Sequence, residues 1–399
     1  MPRRKKKKKV VFILIDGLPD LEAQRTPLSE AYKPNLDFFA AKGMCGQILP
    51  IDRKLWNEKM RGSVSHFANL SLLGYDLKKY VGYKRGPLEA VGADIPYRNG
   101  WLALRCNFAT VDKEMKVIDR RVGRNSFGLD ELARYINENI KLEVPHIFLR
   151  THGHRAVLVF KEKLSDAITD SDPLSDWKKV KEVEALSEKA KRSAKLVNEF
   201  LEKSRQLIEY HPVNEKRIKN GLPPANYILT REAGNKLPPL PSFSTKYKVH
   251  AVCIAEKGAV RGVYLLAGFD AITIPERNLS ATLNFIFSSI ENALVEYDFV
   301  YAHVKGPDEP AHDGDFYRKQ RVIEAIDERL EMFRDFDGVL VITSDHITSC
   351  KTRKHEWGPV PILVYGKGKD RVKKFDELNV KKGKLGLIKG KKLWRFVFS

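Results

Sequence analysis

The sequence predicts an α/β fold, in which a mostly parallel sheet is flanked by helices and carries a second, inserted domain. Four short apolar runs are typical of buried strands: Val10–Ile15, Phe299–Val304, Val339–Thr343 and Pro361–Tyr365. Between the second and third runs, residues 316–336 place Val322, Ile326 and Leu330 on one face of a helix. A strand, a helix and a strand at this spacing favour a βαβ unit.

The middle of the chain has a different pattern from its two ends. Residues 175–209 form one long, charged, amphipathic pattern, and a proline-rich stretch follows at 236–243. We therefore expect residues 1–95 and 250–399 to form the core, and residues 96–249 to form an inserted α+β domain.

Bulk composition is that of a soluble globular protein. Of 399 residues, 43% are hydrophobic and 31% are charged, and no window resembles a membrane span. The basic and then apolar N-terminus lacks the small-residue cleavage site of a signal peptide. The four cysteines are scattered without a CxxC motif, which predicts a cytoplasmic location and argues against a disulfide framework.

The chain is strongly basic, with a formal charge of +20. This charge suits either a nucleic-acid-binding protein or an enzyme with an anionic substrate. The run Lys5–Lys9 is the best support for nucleic-acid binding, but such runs are also typical of solvated tails. The sequence has neither an RNA-binding signature nor zinc-finger spacing, so a basic nucleic-acid-binding protein is only the non-enzyme alternative.

Three of the predicted strands lead into acidic side chains. Asp16 directly follows the first strand, Asp308 follows the second, and Asp345 follows the third. Ligands collect at the carboxyl edge of a parallel sheet, so we expect these carboxylates to lie close together. Their mutual repulsion would require cations nearby.

Histidines accompany these carboxylates. His312 lies four residues after Asp308, which places both on one face of a helical turn. His346 directly follows Asp345, and His355 lies shortly beyond it. Carboxylate and imidazole ligands together suit Mn, Zn or Fe better than Ca or Mg. The pattern therefore predicts a metal centre.

A candidate nucleophile lies where the stretch "RGSVSHFANLSLLGYD" begins an apolar helical pattern. Ser63 and Ser65 both stand at its start. A serine at a helix N-terminus meets the positive end of the helix dipole, which stabilises an alkoxide or a phosphate. The alternative is that one of these serines only caps the helix.

Basic side chains elsewhere could bind an anion. Arg105, Arg120, Arg121 and Arg124 lie close together in the sequence, and residues 152–155 add two histidines and an arginine. Arginine suits bidentate contacts to carboxylate and phosphate groups. The alternative is a solvated, charged surface.

These motifs together resemble the archaeal-type 2,3-bisphosphoglycerate-independent phosphoglycerate mutases of the alkaline phosphatase superfamily. The resemblance extends over nearly the whole chain and includes "VFILIDGLPD", "LSLLGYD", "RCNFATVD", "DRRVGR", "DEPAHDGDF", "SDHITSC" and "HEWGPVP". It implies an alkaline-phosphatase-like fold whose inserted domain is a substrate-binding lid. It also implies an isomerase of glycolysis and gluconeogenesis that interconverts 3-phosphoglycerate and 2-phosphoglycerate.

The resemblance further implies roles for individual residues. Ser65 would be the nucleophile that becomes phosphoserine, one metal ion would bind Asp308, His312 and His355, and the other would bind Asp16, Asp345, His346 and the Ser65 hydroxyl. The implied substrate-binding residues are Arg105, Asn107, Asp119, Arg120, Arg121, Arg124 and His154. The implied cofactors are two divalent ions, with Mn expected and Zn, Co or Mg as alternatives, and no bisphosphoglycerate. The implied partner is a small phosphorylated substrate, with no membrane.

The sequence departs from the family near the nucleophile. The family usually has Ser-Asp-Thr-Ala-His, whereas residues 65–69 read Ser-His-Phe-Ala-Asn, and Ser344, Ile347, Glu356 and Gly358 are further departures. None of these changes removes an implied metal ligand. They leave a metal-dependent phosphomonoesterase, or a mutase for another phosphorylated acid, as the alternative enzymes.

Overall fold

The computed structural model describes residues 8–21 and 24–399. Within them the strands, in chain order, are β1 (Val10–Ile15), β2 (Met44–Ile48), β3 (Trp101–Val111), β4 (Val117–Asp119), β5 (His146–His152), β6 (Arg155–Lys163), β7 (Tyr227–Gly234), β8 (Ala251–Ala255), β9 (Asp270–Thr273), β10 (Phe299–Val304), β11 (Val339–Thr343), β12 (Ile347–Ser349), β13 (Lys354–Glu356), β14 (Val360–Tyr365) and β15 (Gly386–Ile388).

The α-helices, also in chain order, are α1 (Pro27–Glu30), α2 (Pro34–Lys42), α3 (Glu58–Gly62), α4 (Val64–Leu72), α5 (Arg85–Gly92), α6 (Leu129–Asn139), α7 (Lys191–Ile208), α8 (Pro212–Lys219), α9 (Phe243–Tyr247), α10 (Ala259–Leu266), α11 (Leu279–Glu296), α12 (Asp308–Asp313), α13 (Phe316–Leu330) and α14 (Gly390–Val397). Among these helices, none is long and apolar enough to cross a bilayer.

The chain divides into two compact units. The first comprises the described residues up to Val81 together with Leu240–Ala255 and Val263–Ser399, and the second comprises Gly82–Pro239 and Glu256–Gly262. The second unit begins at Gly82, before the expected residue 96, because α5 packs against β3, β6 and β7. Its main segment ends at Pro239, before the expected residue 249, and residues Glu256–Gly262 also belong to it.

The first unit is built on an eight-stranded sheet with the order β15-β2-β14-β11-β1-β10-β8-β9. The strands β11, β1, β10, β8 and β9 run parallel, and β14 is antiparallel to both of its neighbours. The prediction of a mostly parallel sheet is confirmed. Since β1 pairs with β10 on one side and β11 on the other, the carboxyl ends of these three strands lie side by side.

Helices cover both faces of this sheet. On one face, alternate residues of β1 such as Val11 and Ile13 share a buried core with residues of α2, α11 and α13. On the other face, Phe12 of β1 contacts Trp394 of α14, with ring centroids 5.1 Å apart. The fully buried β1 carries apolar side chains on both faces, which is why its sequence does not alternate.

The second unit contains a five-stranded antiparallel sheet in which β3 pairs with β4, β6 and β7, and β6 pairs with β5. Residues of α6 and α7 share a buried apolar core with it, whereas α5 packs separately against β3. Gly86 permits the contact of α5 with β3, because a Cβ atom at this position would lie 2.0 Å from the Ala103 carbonyl oxygen.

The long amphipathic pattern of residues 175–209 is a helix only in its second half, α7. Its first half runs alongside the β4 edge: the N–H of Trp177 donates to the carbonyl of Val117, and the N–H of Val180 donates to that of Met115. These tertiary hydrogen bonds satisfy backbone groups of the first half, so the amphipathic pattern does not correspond to one continuous helix.

Candidate active site

Three carboxylates meet at the carboxyl edge of the first unit's sheet. Asp16 directly follows β1, Asp345 lies two residues after β11, and Asp308 begins α12 beyond β10. Asp16 and Asp345 are buried. Burial, together with the charges of Asp16 and Asp308, raises the pKa of the Asp345 carboxyl to about 7. The edge therefore concentrates negative charge in a place where water does not screen it.

Gly17 allows these carboxylates to approach one another. Its φ of +63° lies in the left-handed region, and a Cβ atom there would lie 2.7 Å from Thr348 Oγ1 and 2.9 Å from Asp308 Oδ1. The N–H of Gly17 also donates to Asp345 Oδ1 at 3.3 Å. Any larger residue after Asp16 would push the strand end away from α12.

His346 lies between two of the carboxylates. Its Nε2 atom is 3.1 Å from Asp16 Oδ1 and 3.3 Å from Asp345 Oδ2. Among the described residues, neither of these two buried oxygens accepts a hydrogen bond. Burial lowers the pKa of His346, but Asp345 and Asp16 outweigh that effect and raise it to about 9. Positive charge is thus stabilised at this position, whether it is a proton or a metal ion.

His312 and His355 converge on the third carboxylate. Their Nε2 atoms lie 3.5 Å and 3.4 Å from Asp308 Oδ1 and 3.0 Å from each other. His312 Nδ1 donates to the carbonyl of Arg353, and His355 Nδ1 donates to that of Arg61, because a carbonyl oxygen can only accept. In the neutral rings the two Nε2 lone pairs therefore face each other, an arrangement that a cation between them stabilises.

Thr348 orients the third imidazole in the same way. Its hydroxyl donates to Asp308 Oδ1 at 2.6 Å, so its oxygen is the acceptor for His346 Nδ1 at 3.0 Å. The proton of neutral His346 is then on Nδ1, and the Nε2 lone pair points towards the carboxylates. All three histidines present Nε2 to one small volume, which is the arrangement expected of metal ligands.

Of the two candidate serines, Ser65 lies at this cluster. It stands in the first turn of α4, and its Oγ is 3.4 Å from His346 Nε2. Ser63 is the N-cap residue of α4, is buried, and makes no side-chain cap hydrogen bond. The structure therefore brings together all seven residues expected to bind metal: Asp16, Ser65, Asp308, His312, Asp345, His346 and His355.

Asn69 holds the turn that carries Ser65. Its amide nitrogen donates to the Ser65 carbonyl at 2.8 Å, and its amide oxygen accepts from the hydroxyls of Tyr264 at 3.0 Å and Tyr301 at 2.9 Å. Asn69 and both tyrosines are buried. This network links the serine backbone to β10 and α10.

Sequence reasoning missed His303. In two groups the potential ligand atoms lie within 4.8 Å of one another: Asp308 with His346 and His355, and Asp16 with His303 and Asp345. His303 Nε2 is 3.8 Å from Asp16 Oδ2. The sequence did contain a signal, since His303 is a polar residue inside the otherwise apolar strand β10.

Lys319 was also missed. Its Nζ is fully buried and donates to the carbonyls of Pro19 and Thr348, at 3.0 Å and 2.7 Å, which ties the loop after β1 to β12. The helical period placed Lys319 on the apolar face of α13, three residues before Val322, so a buried cation was foreseeable.

The second unit contains a separate basic cluster around Arg105. Arg85 donates to Glu89 at 2.7 Å, and Arg105 Nε lies 3.7 Å from the same carboxylate oxygen. Burial and the charges of Arg231 and Arg85 lower the pKa of Arg105 well below its usual value. Among the described residues, the buried Nε atoms of Arg105, Arg155 and Arg231 have no hydrogen-bond acceptor. Asp172 Oδ2 lies 3.8 Å from Arg231 Nε, which leaves Glu89 to balance Arg85 and Arg105. The cluster therefore has more cations than acids, and it suits an anionic ligand.

His154 and Arg121, two other expected substrate-binding residues, interact electrostatically with this cluster. Burial lowers the pKa of His154 well below its usual value, and Arg155, Arg121 and Arg105 add to the effect. A neutral His154 beside arginines can accept a hydrogen bond or donate one to an anion.

The remaining expected residues shape the neighbouring loop. The Asp119 carboxylate accepts from backbone N–H groups, including that of Arg121 at 2.7 Å. Arg120 forms a bidentate pair with buried Asp172 at 2.8 Å and 2.6 Å, and its carbonyl accepts from Asn107 at 3.4 Å. Arg124 ends a short 3-10 turn with a φ of +54°. Their roles in substrate binding stay predictions.

Glu89 is expected to stabilise the second unit in a pH-dependent way. Although burial raises its pKa, Arg85 and Arg105 outweigh this and lower it from 4.5 to about 2. Ionised Glu89 therefore stabilises the fold above about pH 4.5, and this stabilisation is lost as the pH falls towards about 2. Glu89→Gln should lower the free energy of unfolding by about 3 kcal/mol near neutral pH.

Thermal unfolding of wild type and Glu89→Gln, compared near neutral pH and at about pH 3, measures this effect. The difference in unfolding temperature should shrink at the lower pH. Glu138→Gln, on the exposed face of α6, is the control and should change little. A difference that stays constant with pH would contradict the ionic explanation.

Comparisons with known proteins show the family to which the chain belongs. A family model described as 2,3-bisphosphoglycerate-independent phosphoglycerate mutase matches residues 40–214. A protein of that name from Methanocaldococcus jannaschii is 38% identical, and the alignment covers 99% of this chain and 97% of that one. The chain belongs to this family. A second family member, from Archaeoglobus fulgidus, is 39% identical over 96% of this chain and 95% of its own.

Solved structures share the fold of this phosphoglycerate mutase family member. A Pyrococcus horikoshii protein superposes with a TM-score of 0.74 and 28% identity, covering 98% of this chain and 96% of its own. A cofactor-independent phosphoglycerate mutase from Thermoplasma acidophilum superposes with a TM-score of 0.58 and 32% identity, covering 95% and 96%. The family predicted from sequence motifs is therefore confirmed.

Proposed function

We propose that the protein is a cofactor-independent phosphoglycerate mutase, an isomerase that interconverts 3-phosphoglycerate and 2-phosphoglycerate in glycolysis and gluconeogenesis in the cytoplasm. The observation that carries this proposal is the convergence of three carboxylates and three Nε2 atoms beside the Ser65 hydroxyl. Membership of the mutase family supports it.

We further propose that this cluster binds two divalent ions, Mn²⁺ by preference, with Zn²⁺, Co²⁺ and Mg²⁺ as alternatives. Asp308, His312 and His355 would bind one ion, and Asp16, Asp345, His346 and the Ser65 hydroxyl would bind the other. The residues fit this use because Asp16 Oδ1 and Asp345 Oδ2 are buried without a hydrogen bond and the Nε2 atoms converge. Bound ions would lower the pKa of the serine hydroxyl and neutralise charge on the phosphoryl group.

The reaction divides into two transfers at Ser65. Its Oγ loses its proton and forms a bond to the phosphorus of 3-phosphoglycerate, while the bond from phosphorus to the 3-oxygen breaks and that oxygen gains a proton, leaving glycerate and phosphoserine. The 2-hydroxyl of the retained glycerate then loses its proton and attacks phosphoserine, the bond from phosphorus to Oγ breaks, and Oγ regains a proton as 2-phosphoglycerate forms. The N-terminal turn of α4 stabilises negative charge at Oγ and on the phosphate, and Asn69 fixes that turn.

The arginine cluster of the second unit is proposed to bind the acidic groups of the substrate. A mutase must retain glycerate and exclude water between its two transfers, or it becomes a phosphatase. Arg105, Arg155 and Arg231 offer buried Nε donors for such an anion. The lid role of this unit is part of the same proposal.

Arg105→Lys should weaken substrate binding while leaving metal content unchanged. Lysine keeps the charge but loses the planar fork that binds carboxylate and phosphate, so we expect kcat/KM to fall at least about tenfold, mainly through KM. Steady-state kinetics with a parallel metal analysis test this. Arg134→Lys, on the exposed side of α6, is the matched control. An unchanged KM would remove Arg105 from the binding site.

The proposed function is tested by incubating the purified protein with Mn²⁺ and 3-phosphoglycerate, without bisphosphoglycerate, and following phosphorus-31 resonances. A mutase forms 2-phosphoglycerate, whereas a phosphomonoesterase releases inorganic phosphate. If the protein converts a different phosphorylated acid but not 3-phosphoglycerate, it is a mutase for that other acid. No turnover of any phosphate ester would favour the nucleic-acid-binding alternative.

A further inference from the structure

Most of the excess positive charge of the chain lies at its two ends. Residues 1–9 contain seven basic residues and no acidic one, and residues 367–399 contain twelve basic and three acidic residues. The 357 residues between them are nearly balanced, with 52 basic and 48 acidic side chains. The basic composition is therefore not a general property of the protein's surface. Of the first segment, residues 1–7 lie outside the described residues, and these include Lys5–Lys7 of the lysine run. The second segment is described in full.

We call the surface of residues 367–399 the basic C-terminal surface. In this segment eleven basic side chains are exposed, and no acidic side chain is. Asp376 and Glu377 are buried, and half-buried Asp370 accepts from the backbone N–H groups of Cys45, Val372 and Lys384. All three acids are used inside the fold, so this segment contributes only cations to its outer face.

This surface also contains a partly apolar depression. A depression of about 560 Å³ has Leu49, Leu387 and Ile388 among its lining residues. The cations Lys389, Lys391, Lys392 and Arg395 complete the lining. Of these four, Lys389 pairs with Asp52 at 3.2 Å. A ligand that suits both the apolar depression and the surrounding cations has flat apolar groups joined to repeated negative charges.

The surrounding structure disfavours a lipid membrane as the partner. Three of the large apolar side chains of α14, Leu393, Trp394 and Val397, are buried, and Trp394 contacts Phe243 and Phe299 at ring distances of 5.5 Å and 5.2 Å. Phe396 is the one large apolar side chain of this helix that is partly exposed, which is too little to form a face that inserts between lipids. Cations spread along 33 residues also exceed what one small anion can contact.

We propose that the basic C-terminal surface binds single-stranded nucleic acid, with phosphates on the lysines and Arg395 and a base in the depression at Leu387. Because the sequence has no motif that reads bases, binding is sequence-independent and driven by release of counterions. This activity is separate from the proposed catalysis and does not depend on it.

Fluorescence anisotropy of a labelled oligouridylate of about 20 nucleotides, titrated with the full-length protein between about 50 and 200 mM NaCl, tests the proposal. The test variant is Lys391→Glu/Lys392→Glu/Arg395→Glu. We expect its affinity to fall at least about tenfold, and the slope of log K against log salt concentration to fall by about 2. The glutamine triple variant should show the same effects, more weakly.

The matched control makes an equal change in net charge in the second unit. Lys113→Glu/Lys195→Glu/Lys219→Glu replaces three exposed lysines and should change the affinity by less than about threefold. Both triple variants should keep the unfolding temperature and the turnover of 3-phosphoglycerate, which separates this result from any failure of the proposed function. Equal losses in the two variants, or no loss in the first, would overturn the proposal.

Two further arms test the kind of partner. Leu387→Ser should weaken oligouridylate binding but not the binding of long-chain polyphosphate, which has no bases. Equal effects on both ligands would show that no base binds in the depression at Leu387. Binding to phosphatidylserine vesicles that oligouridylate does not compete would instead show a membrane surface and contradict it.

Discussion

Ser65→Ala is expected to abolish phosphoryl transfer, with a fall in kcat of at least about four orders of magnitude. The hydroxyl is the proposed nucleophile, it lies 3.4 Å from His346 Nε2, and no other part of the proposed mechanism replaces it. The two metal ions should remain bound, because six of the seven proposed ligands are intact. Rapid-quench assays for phosphoserine, kinetics and metal analysis by mass spectrometry measure these outcomes.

Ser63→Ala is the matched control for this variant. Ser63 lies two residues earlier, is the buried N-cap residue of α4, and is not among the seven proposed metal ligands. We expect its loss to leave most of the activity and the phosphoserine signal. Turnover that survives in Ser65→Ala but disappears in Ser63→Ala would move the nucleophile to Ser63 and would reject the assignment.

The second large effect is expected for His355→Ala, which should lose one of two bound ions and most of the activity. His355 Nε2 lies 3.4 Å from Asp308 Oδ1 and 3.0 Å from His312 Nε2, so the variant leaves one carboxylate and one imidazole for that ion. Two such ligands hold a divalent ion weakly. Metal stoichiometry after gel filtration gives the direct readout, independently of turnover.

His250→Ala serves as the control for this loss. His250 directly precedes β8, is exposed and pairs with exposed Asp270 at 3.2 Å, so the His250→Ala variant should keep both ions and full activity. If His355→Ala binds as much metal as wild type, the proposed ligand set is incorrect. Restoration of turnover by added imidazole would support a ligand role over a purely structural one.

The expected metal site shows why several of its residues could be predicted from the sequence. An apolar run that ends in Asp16 or Asp345 is a local pattern, and parallel strands place their carboxyl ends at one edge of a sheet. His312 follows Asp308 by one helical turn, and His346 directly follows Asp345. Each of these residues could therefore be predicted from residues near it in the sequence.

The basic cluster around Arg105 shows where this reasoning fails. Arg85 of α5 and Arg231 of β7 meet Arg105 of β3 only because α5 and β7 both pack against that strand. No local pattern distinguishes these arginines from those on a solvated surface. The amphipathic pattern of residues 175–209 is a similar case, because it does not reveal the hydrogen bonds from Trp177 and Val180 to Val117 and Met115.

By itself, the sequence determined the strands that carry the acidic residues, the helix α13 and the order of the ligand residues, because these depend on side chains within a few positions of one another. Only the tertiary structure decided which nitrogen each histidine presents, since Arg61, Arg353 and Thr348 fix the Nδ1 protons from distant parts of the chain. It also decided that Lys319 and His303 belong beside the site. Hydrogen bonds and charge interactions act through space, so their partners appear only once the chain is folded.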